Sequence, residues 1–195
     1  MSVTPFPKLS RKYGVSCHQG ESKPFMVTIH QTQSGDAEGA ARYLETRSDG
    51  SCHYVLDADK GFKCAEDNDI LCHVGGQNTG NIGIELAGYS SWPLATWLSP
   101  KNRRMVAFAA YIAARKCRQH SIPARFVPDY RDLPGNRFDF DGVTTHAALS
   151  YKYHTSTHTD PGLGFPRRRF RKLLTFYKAN PGVDHPVSLK RMRRH

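Results

Sequence analysis

Between Ser99 and His120 the chain reads SPKNRRMVAFAAYIAARKCRQH. Met105, Phe108, Ala109, Ile112 and Ala113 recur there with the 3.6-residue period of a helix bearing one apolar stripe, and Ser99 is placed to cap it. Such a helix has to bury its stripe against another element, and the flanking sequence supplies candidates. KPFMVTIHQT (residues 23–32) and NIGIELAG (81–88) are apolar, β-branched runs and read as strands. SCHYVLDADKGFKCAED (51–67) reads as two strands around the turn DADKG, and ARFVPDY (124–130) as a short strand ended by Pro128. Two further helices are predicted. GDAEGAARYLETR has Asp36 as N-cap and Ala40, Tyr43 and Leu44 on one face. FPRRRFRKLLTFYKANPG turns Phe170, Leu173, Leu174 and Tyr177 inward and stops at Pro181-Gly182. Strands interspersed with helices predict an α/β fold class: a single domain with a central mixed β-sheet flanked by α-helices.

A length of 195 residues suits one such domain with a real core, and the 38% hydrophobic fraction lies well above a disordered composition. The expected division is an N-terminal extension over 1–22, the domain itself over 23–180 and a basic tail over 181–195. The stretch 129–166 reads as one long irregular loop, which inside a compact domain suggests function. No apolar run is long enough to span a bilayer, so no membrane role is expected. The N-terminus, with Pro5 and Pro7, lacks the apolar core of a secretory signal. The five cysteines form no paired motif and read as free, mostly buried thiols in a reducing compartment.

The formal charge of +11 is concentrated at the C-terminal end, where residues 166–195 hold ten Lys or Arg against one acid, Asp184. That favours a polyanionic partner, although a solvated helix face has the same composition. No helix-turn-helix, RNA-recognition or zinc-finger pattern is visible, so specific nucleic-acid binding is not expected.

Three candidate ligands lie far apart: His30 at the end of the first strand, His146 in GVTTHAALS and Asp160 in HTDPG. Two imidazoles and one carboxylate are a normal donor set for catalytic zinc. Each histidine alone reads more readily as a satisfied structural one, and the combination with NIGIELAG carries the metal reading. On NIGIELAG, strand alternation puts Glu85 on the face of Gly83 and Ala87, a floor without bulk. Such a floor suits a cleft, or equally a half-exposed sheet surface. On the first strand His30 shares a face with Met26 and Thr28. After Asp160, Pro161 restricts the backbone and Gly162 permits a turn.

VTIHQT, CHYVLDADKG, LCHVGGQNTGNIGIELAG, GVTTHAALS and HTDPG, in this order, resemble the type 2 N-acetylmuramoyl-L-alanine amidase family, which includes phage endolysins and peptidoglycan recognition proteins. The resemblance runs from about Lys23 to Phe176 and implies a central mixed sheet with zinc in a groove on one face. It makes His30, His146 and Asp160 the zinc ligands and Glu85 the general base and acid. His158 falls where several members carry lysine, which leaves the charge there dependent on pH. Tyr54 takes a substrate-side catalytic position, with a core tyrosine as the alternative. His73 and Asn78 are candidate substrate contacts; His53 and His73 are equally candidates for orienting a ligand or for a structural role. There are departures: Gln31 stands where a second histidine is frequent, and Cys72 where tryptophan is common.

The function implied is hydrolysis of the amide between N-acetylmuramic acid and L-alanine in bacterial peptidoglycan. A phage endolysin held in the host cytoplasm until released to the wall is the favoured version, with anionic wall polymers bound through the basic C-terminal helix and tail. A cytoplasmic muropeptide-recycling amidase and a non-catalytic peptidoglycan-binding module are the alternatives.

Overall fold

The computed structural model describes residues 4–188. Its centre is a five-stranded sheet in the order β4-β3-β6-β2-β7, made from β2 (Met26–Gln31), β3 (Tyr54–Leu56), β4 (Gly61–Lys63), β6 (Asn81–Leu86) and β7 (Gly142–Thr145). The β3–β4 pair is antiparallel, as expected of a hairpin around DADKG, and the other pairings are parallel. A second, two-stranded sheet joins β1 (His18–Glu21) to β5 (Asp69–Leu71).

Alternation along the strands divides the molecule into layers. Val27 and Ile29 of β2, with Ile82, Ile84 and Leu86 of β6, face α3 (Pro100–Gln119) and α5 (Arg167–Ala179). They bury Phe108, Ile112, Phe170 and Leu173 completely or nearly so; each side chain so enclosed is worth about 1.5–3 kcal/mol of transfer free energy. Ser99 caps α3 by accepting from Asn102 N. On the opposite face α1 (Ala37–Glu45), capped by Asp36, covers Val55 and Phe62. That helix packs through Ala37, Ala40 and Ala41. Small side chains seat it close to the sheet, so Tyr43, expected inside with Ala40 and Leu44, lies 58% exposed at the rim. α2 (Leu94–Trp97) is a single turn before α3.

Three expectations need correction. The segment 129–166 is not one loop: it holds β7 and α4 (His146–Tyr153), besides 3-10 turns at Tyr130–Asp132 and Arg137–Asp139. Strand and helix meet without a linker, because Thr145 ends β7 and caps α4 by accepting from Ala148 N. ARFVPDY makes only one bridge, Phe126 to Val143, next to a proline that has no N–H to continue the ladder. The cysteines are not all free. Cys17 precedes β1 and Cys72 follows β5, and the antiparallel pairing of His18 with Leu71 brings them together as a disulfide with a Cα–Cα distance of 5.7 Å. Cys52, Cys64 and Cys117 are buried thiols.

The predicted N-terminal extension packs into the domain from Phe6, which stacks on Phe108, to Tyr13, which meets Phe62 edge-on. After α5 the chain is tied by Tyr177 Oη donating to His185 O and Phe6 N donating to Asp184 O. Lys190, Arg191, Arg193 and Arg194 of the predicted tail lie outside the described residues.

A buried charge cluster links α3 to the sheet. Asp67 accepts from Lys116 Nζ (2.7 Å), from His120 Nε2 (2.8 Å) and from Tyr54 Oη. Burial opposes its charge, but these three donors outweigh it and hold its pKa at about 2. Asp67→Ala leaves the Lys116 ammonium buried without a counter-charge, and we expect unfolding free energy to fall by about 3–5 kcal/mol. Tyr54→Phe removes one donor and costs about 1 kcal/mol. Urea denaturation at constant m-value measures both; equal losses would contradict this account.

Candidate functional site

The face of the sheet opposite α3 and α5 carries a cluster of polar side chains at the C-terminal ends of its parallel strands. The register of β2 and β6 sets Thr28 beside Gly83 and His30 beside Glu85, so His30 and Glu85 share one side on adjacent strands. β7, on the other flank of β2, ends at Thr145 and hands His146 to the first turn of α4. Asp160 arrives from the following loop and is held twice: its carboxylate accepts from Gln31 N at 3.3 Å, and its carbonyl accepts from Ala147 N at 2.9 Å. Gly162, at φ +83°, completes the turn where an added Cβ would collide with the Ser90 carbonyl.

His30, His146 and Asp160 are all buried, and their ligand atoms lie within 4.8 Å of one another. His30 Nδ1 is 3.1 Å from His146 Nδ1 and 3.4 Å from Asp160 Oδ2; His146 Nδ1 is 3.2 Å from Asp160 Oδ1. A chain of hydrogen bonds decides what His30 presents there. The Asn81 carbonyl can only accept, so His73 Nε2 donates to it at 2.8 Å. His73 Nδ1 is then a lone pair, and His30 Nε2 donates to it at 3.0 Å. Neutral His30 therefore turns a lone pair on Nδ1 toward His146 and Asp160. Burial keeps it neutral, lowering its pKa to about 4. Burial opposes the charge of Asp160, but the close approach of His146, His158 and then His30 holds its carboxyl well below the usual range. Converging acceptors at these separations repel unless a cation, or a proton standing in for one, lies between them. The donor set could hold a divalent metal.

Glu85 is half-buried beside this cluster, and its Oε2 is shut off from solvent with no hydrogen-bond partner among the described residues. Burial, then the negative charge of Asp160, pushes its carboxyl well above the ordinary range; a cation in the cluster opposes both effects. His158 is exposed, stacks on His146 with ring centroids 4.3 Å apart, and brings Nδ1 to 3.4 Å from Asp160 Oδ1. The hydrogen bond to Asp160 raises its pKa. These residues line a groove of about 850 Å³ between α1 and α4, with Tyr43 and Leu44 on one wall and His73 and Asn78 on another.

The structure brings His30, His146, Asp160, Glu85, His158, His73 and Asn78 to this groove, but not Tyr54. Tyr54 pairs with Ile84 rather than Glu85, which points it to the other face of the sheet. It is fully buried there against α3 and donates to Asp67, so it is a core tyrosine. Asn78 borders the groove with its amide already committed: Oδ1 accepts from His73 N and Val74 N, and Nδ2 donates to Gln19. It shapes the loop and has little capacity left for a substrate. His53 is structural, accepting from Gly83 N and bonding the Asp69 carbonyl. The floor around Glu85 is not open either. A Cβ on Gly83 would come within 2.8 Å of His73 Nδ1 and 2.7 Å of Cys52 Sγ, so this glycine makes room for the ring that orients His30. The sequence offers His73 as a residue that could orient a ligand, but not its partners: that Asn81 O fixes its tautomer and that Gly83 leaves room for its ring follow only from the fold.

Residues 20–163 match the family model described as N-acetylmuramoyl-L-alanine amidase. No curated protein matches the sequence. Several solved structures share the fold. The Staphylococcus aureus hydrolase AmiA in complex with its ligand aligns with a TM-score of 0.60 at 18% identity, over 90% of this chain and 83% of that one. A mutant of PlyL aligns with 0.62 at 17% identity, over 87% and 99%. The endolysin N-acetylmuramoyl-L-alanine amidase LysCS from Clostridium intestinale aligns with 0.56 at 14% identity, over 87% and 97%.

If His73 fixes the tautomer of His30, His73→Phe should lower affinity for a divalent ion by about 10–100-fold while the far-UV circular dichroism stays unchanged. Competition against a chelating dye measures this; unaltered affinity would show that His30 needs no such support.

Proposed function

The chain belongs to the N-acetylmuramoyl-L-alanine amidase family, and on that footing we propose that it is a zinc-dependent peptidoglycan hydrolase that cleaves the amide joining N-acetylmuramic acid to L-alanine. The observation that carries the reading is the convergence of His30, His146 and Asp160 beside Glu85. Two imidazoles and a carboxylate, buried and facing one another, fit zinc better than the all-oxygen shells of calcium or magnesium.

Bound there, zinc supplies Lewis acidity and lowers the pKa of water to about 7. The protein does the rest. Glu85 takes the proton of the attacking water at the oxygen that has no partner among the described residues, then returns it to the alanine nitrogen as the C–N bond breaks. His158, at the edge of the groove, donates a hydrogen bond to the carbonyl oxygen as that atom gains negative charge. Asp160 orders both histidines around it through the contacts to His146 and His158.

The finer reading is a lytic, endolysin-type enzyme of a phage, acting on the wall after release from the host cytoplasm. Likeness in fold to an endolysin supports it, as does the Cys17–Cys72 disulfide, since disulfides persist in oxidising surroundings outside the cytoplasm. Among the described residues no helix is long and apolar enough to cross a membrane. Arg168, Arg171 and Lys172 on the exposed side of α5 are proposed to meet anionic wall polymers.

Purified protein incubated with cell walls should release new L-alanine amino termini, and a chelator should stop it; no release, or release indifferent to the chelator, would overturn the proposal. Glu85→Gln should lower turnover by roughly 10²–10⁴-fold with zinc content unchanged, and retained turnover would remove Glu85 from its role. His158→Ala should lower kcat by about 10²–10³-fold, whereas His158→Lys, which keeps a donor, should retain most of it. Equal losses in the two would show that His158 acts by packing on His146.

A further inference from the structure

We propose that the groove continues past Asp160 into a second subsite, built on Tyr130 and Tyr151, that holds sugar rings of the glycan strand next to the cleaved bond. This rests on the amidase reading and extends it from one bond to the polymer that carries it.

The continuity is physical. A shallow cavity lined by Gln33, Ser90, His158, Thr159 and Asp160 opens from the catalytic groove. Ser90 and Thr159 also line the next cavity, of about 660 Å³, whose outer wall includes Tyr130 and Tyr151. The passage between the two has a fixed shape. Gln33 and Ser90 are joined by two hydrogen bonds, Gln33 Nε2 to Ser90 Oγ at 2.5 Å and Ser90 N to Gln33 Oε1 at 3.3 Å. Gly164 lets the 159–165 loop close on the Trp92 carbonyl, where any Cβ would collide.

The aromatic platform is tied to the catalytic cluster by one helix. Tyr151 lies on α4, which begins at His146, five residues earlier and so about 7.5 Å back along the axis. Tyr130 leans against it with ring centroids 5.8 Å apart and planes 40° apart. Both rings are unusually open, Tyr130 44% and Tyr151 53% exposed. Large rings left bare in a concave surface provide apolar faces at small entropic cost. A pyranose matches them with an apolar C–H face and a rim of hydroxyls, for which Ser90 and Thr159 supply partners.

The charge on the platform is mixed, since Asp129, Arg131 and Arg167 all line this cavity, and the polyphosphate arm of the test separates a phosphate polymer from a glycan. Arg131, next to Tyr130, is neutralised by Asp129 through Nε at 2.9 Å and Nη2 at 2.5 Å. The wider catalytic groove, walled by α1 and the loop after β5, is left for the peptide stem.

The test uses the full chain, its Tyr130→Ala/Tyr151→Ala double variant and a Tyr151→Ala single variant, each checked for folding by circular dichroism. Three probes are compared: whole glycan strands with peptide stems, a muropeptide carrying a single sugar, and peptide-free glycan oligosaccharides. We expect the double variant to raise KM on the polymer at least roughly tenfold, equivalent to about 1.4 kcal/mol, while hydrolysis of the single-sugar muropeptide is unchanged. Calorimetry should show the peptide-free glycan binding the full chain and not the double variant. Should the double variant fail to fold, the single variant must reproduce a smaller loss confined to the polymer. Equal losses on both substrates, unchanged kinetics on both, or tighter binding of a polyphosphate than of glycan would overturn the subsite. Glycan binding without hydrolysis of any substrate would preserve the subsite and overturn the amidase reading instead.

Discussion

The parallel pairing of β2 with β6 sets the position of everything the site needs. Because side chains alternate along a strand, a slip of one residue in that register would send Glu85 to the helical layer and bring Ile84 beside His30. The apolar residues of both strands hold the register from behind: Val27, Ile29, Ile82, Ile84 and Leu86 have to face α3 and α5 to be buried. The face that carries His30 and Glu85 is thus a consequence of the core. β7 adds the third element by pairing with the other edge of β2, and its end delivers His146.

On this frame the protein gathers groups that are unfavourable in each other's company. Three acceptors converge, Glu85 Oε2 is buried without a partner among the described residues, and His30 is held neutral by burial. Such an arrangement costs stability unless a ligand answers it. The fold answers part of it. The Asn81 carbonyl orients His73, His73 orients His30, and Gly83 leaves the space in which this happens. The remainder is a deficit of positive charge at the centre of the cluster, which is the physical argument for a cation.

Much of this was legible in the sequence where local patterns carry the information. The alternation in VTIHQT and NIGIELAG showed which residues face the core, and the caps Asp36 and Ser99 marked two helix starts. What failed to show was set by distant contacts. Cys17 and Cys72 have no motif between them, and only the pairing of β1 with β5 makes them neighbours. Tyr54 occupies a position whose side depends on register with β6, which strand composition does not report. Asn78 has the composition of a substrate contact, but its hydrogen bonds are spent on its own loop. α4 was hidden because a four-residue strand runs straight into an eight-residue helix with no punctuation between them.

The central claim is that two imidazoles and one carboxylate, drawn from three separate segments, form a single zinc site. X-ray absorption on metal-stripped protein reloaded with zinc tests it most directly. The account predicts one ion per chain with two histidine nitrogens at about 2.0–2.1 Å and an oxygen-only remainder. Substoichiometric uptake, or a shell containing sulfur from Cys52, Cys64 or Cys117, would contradict it.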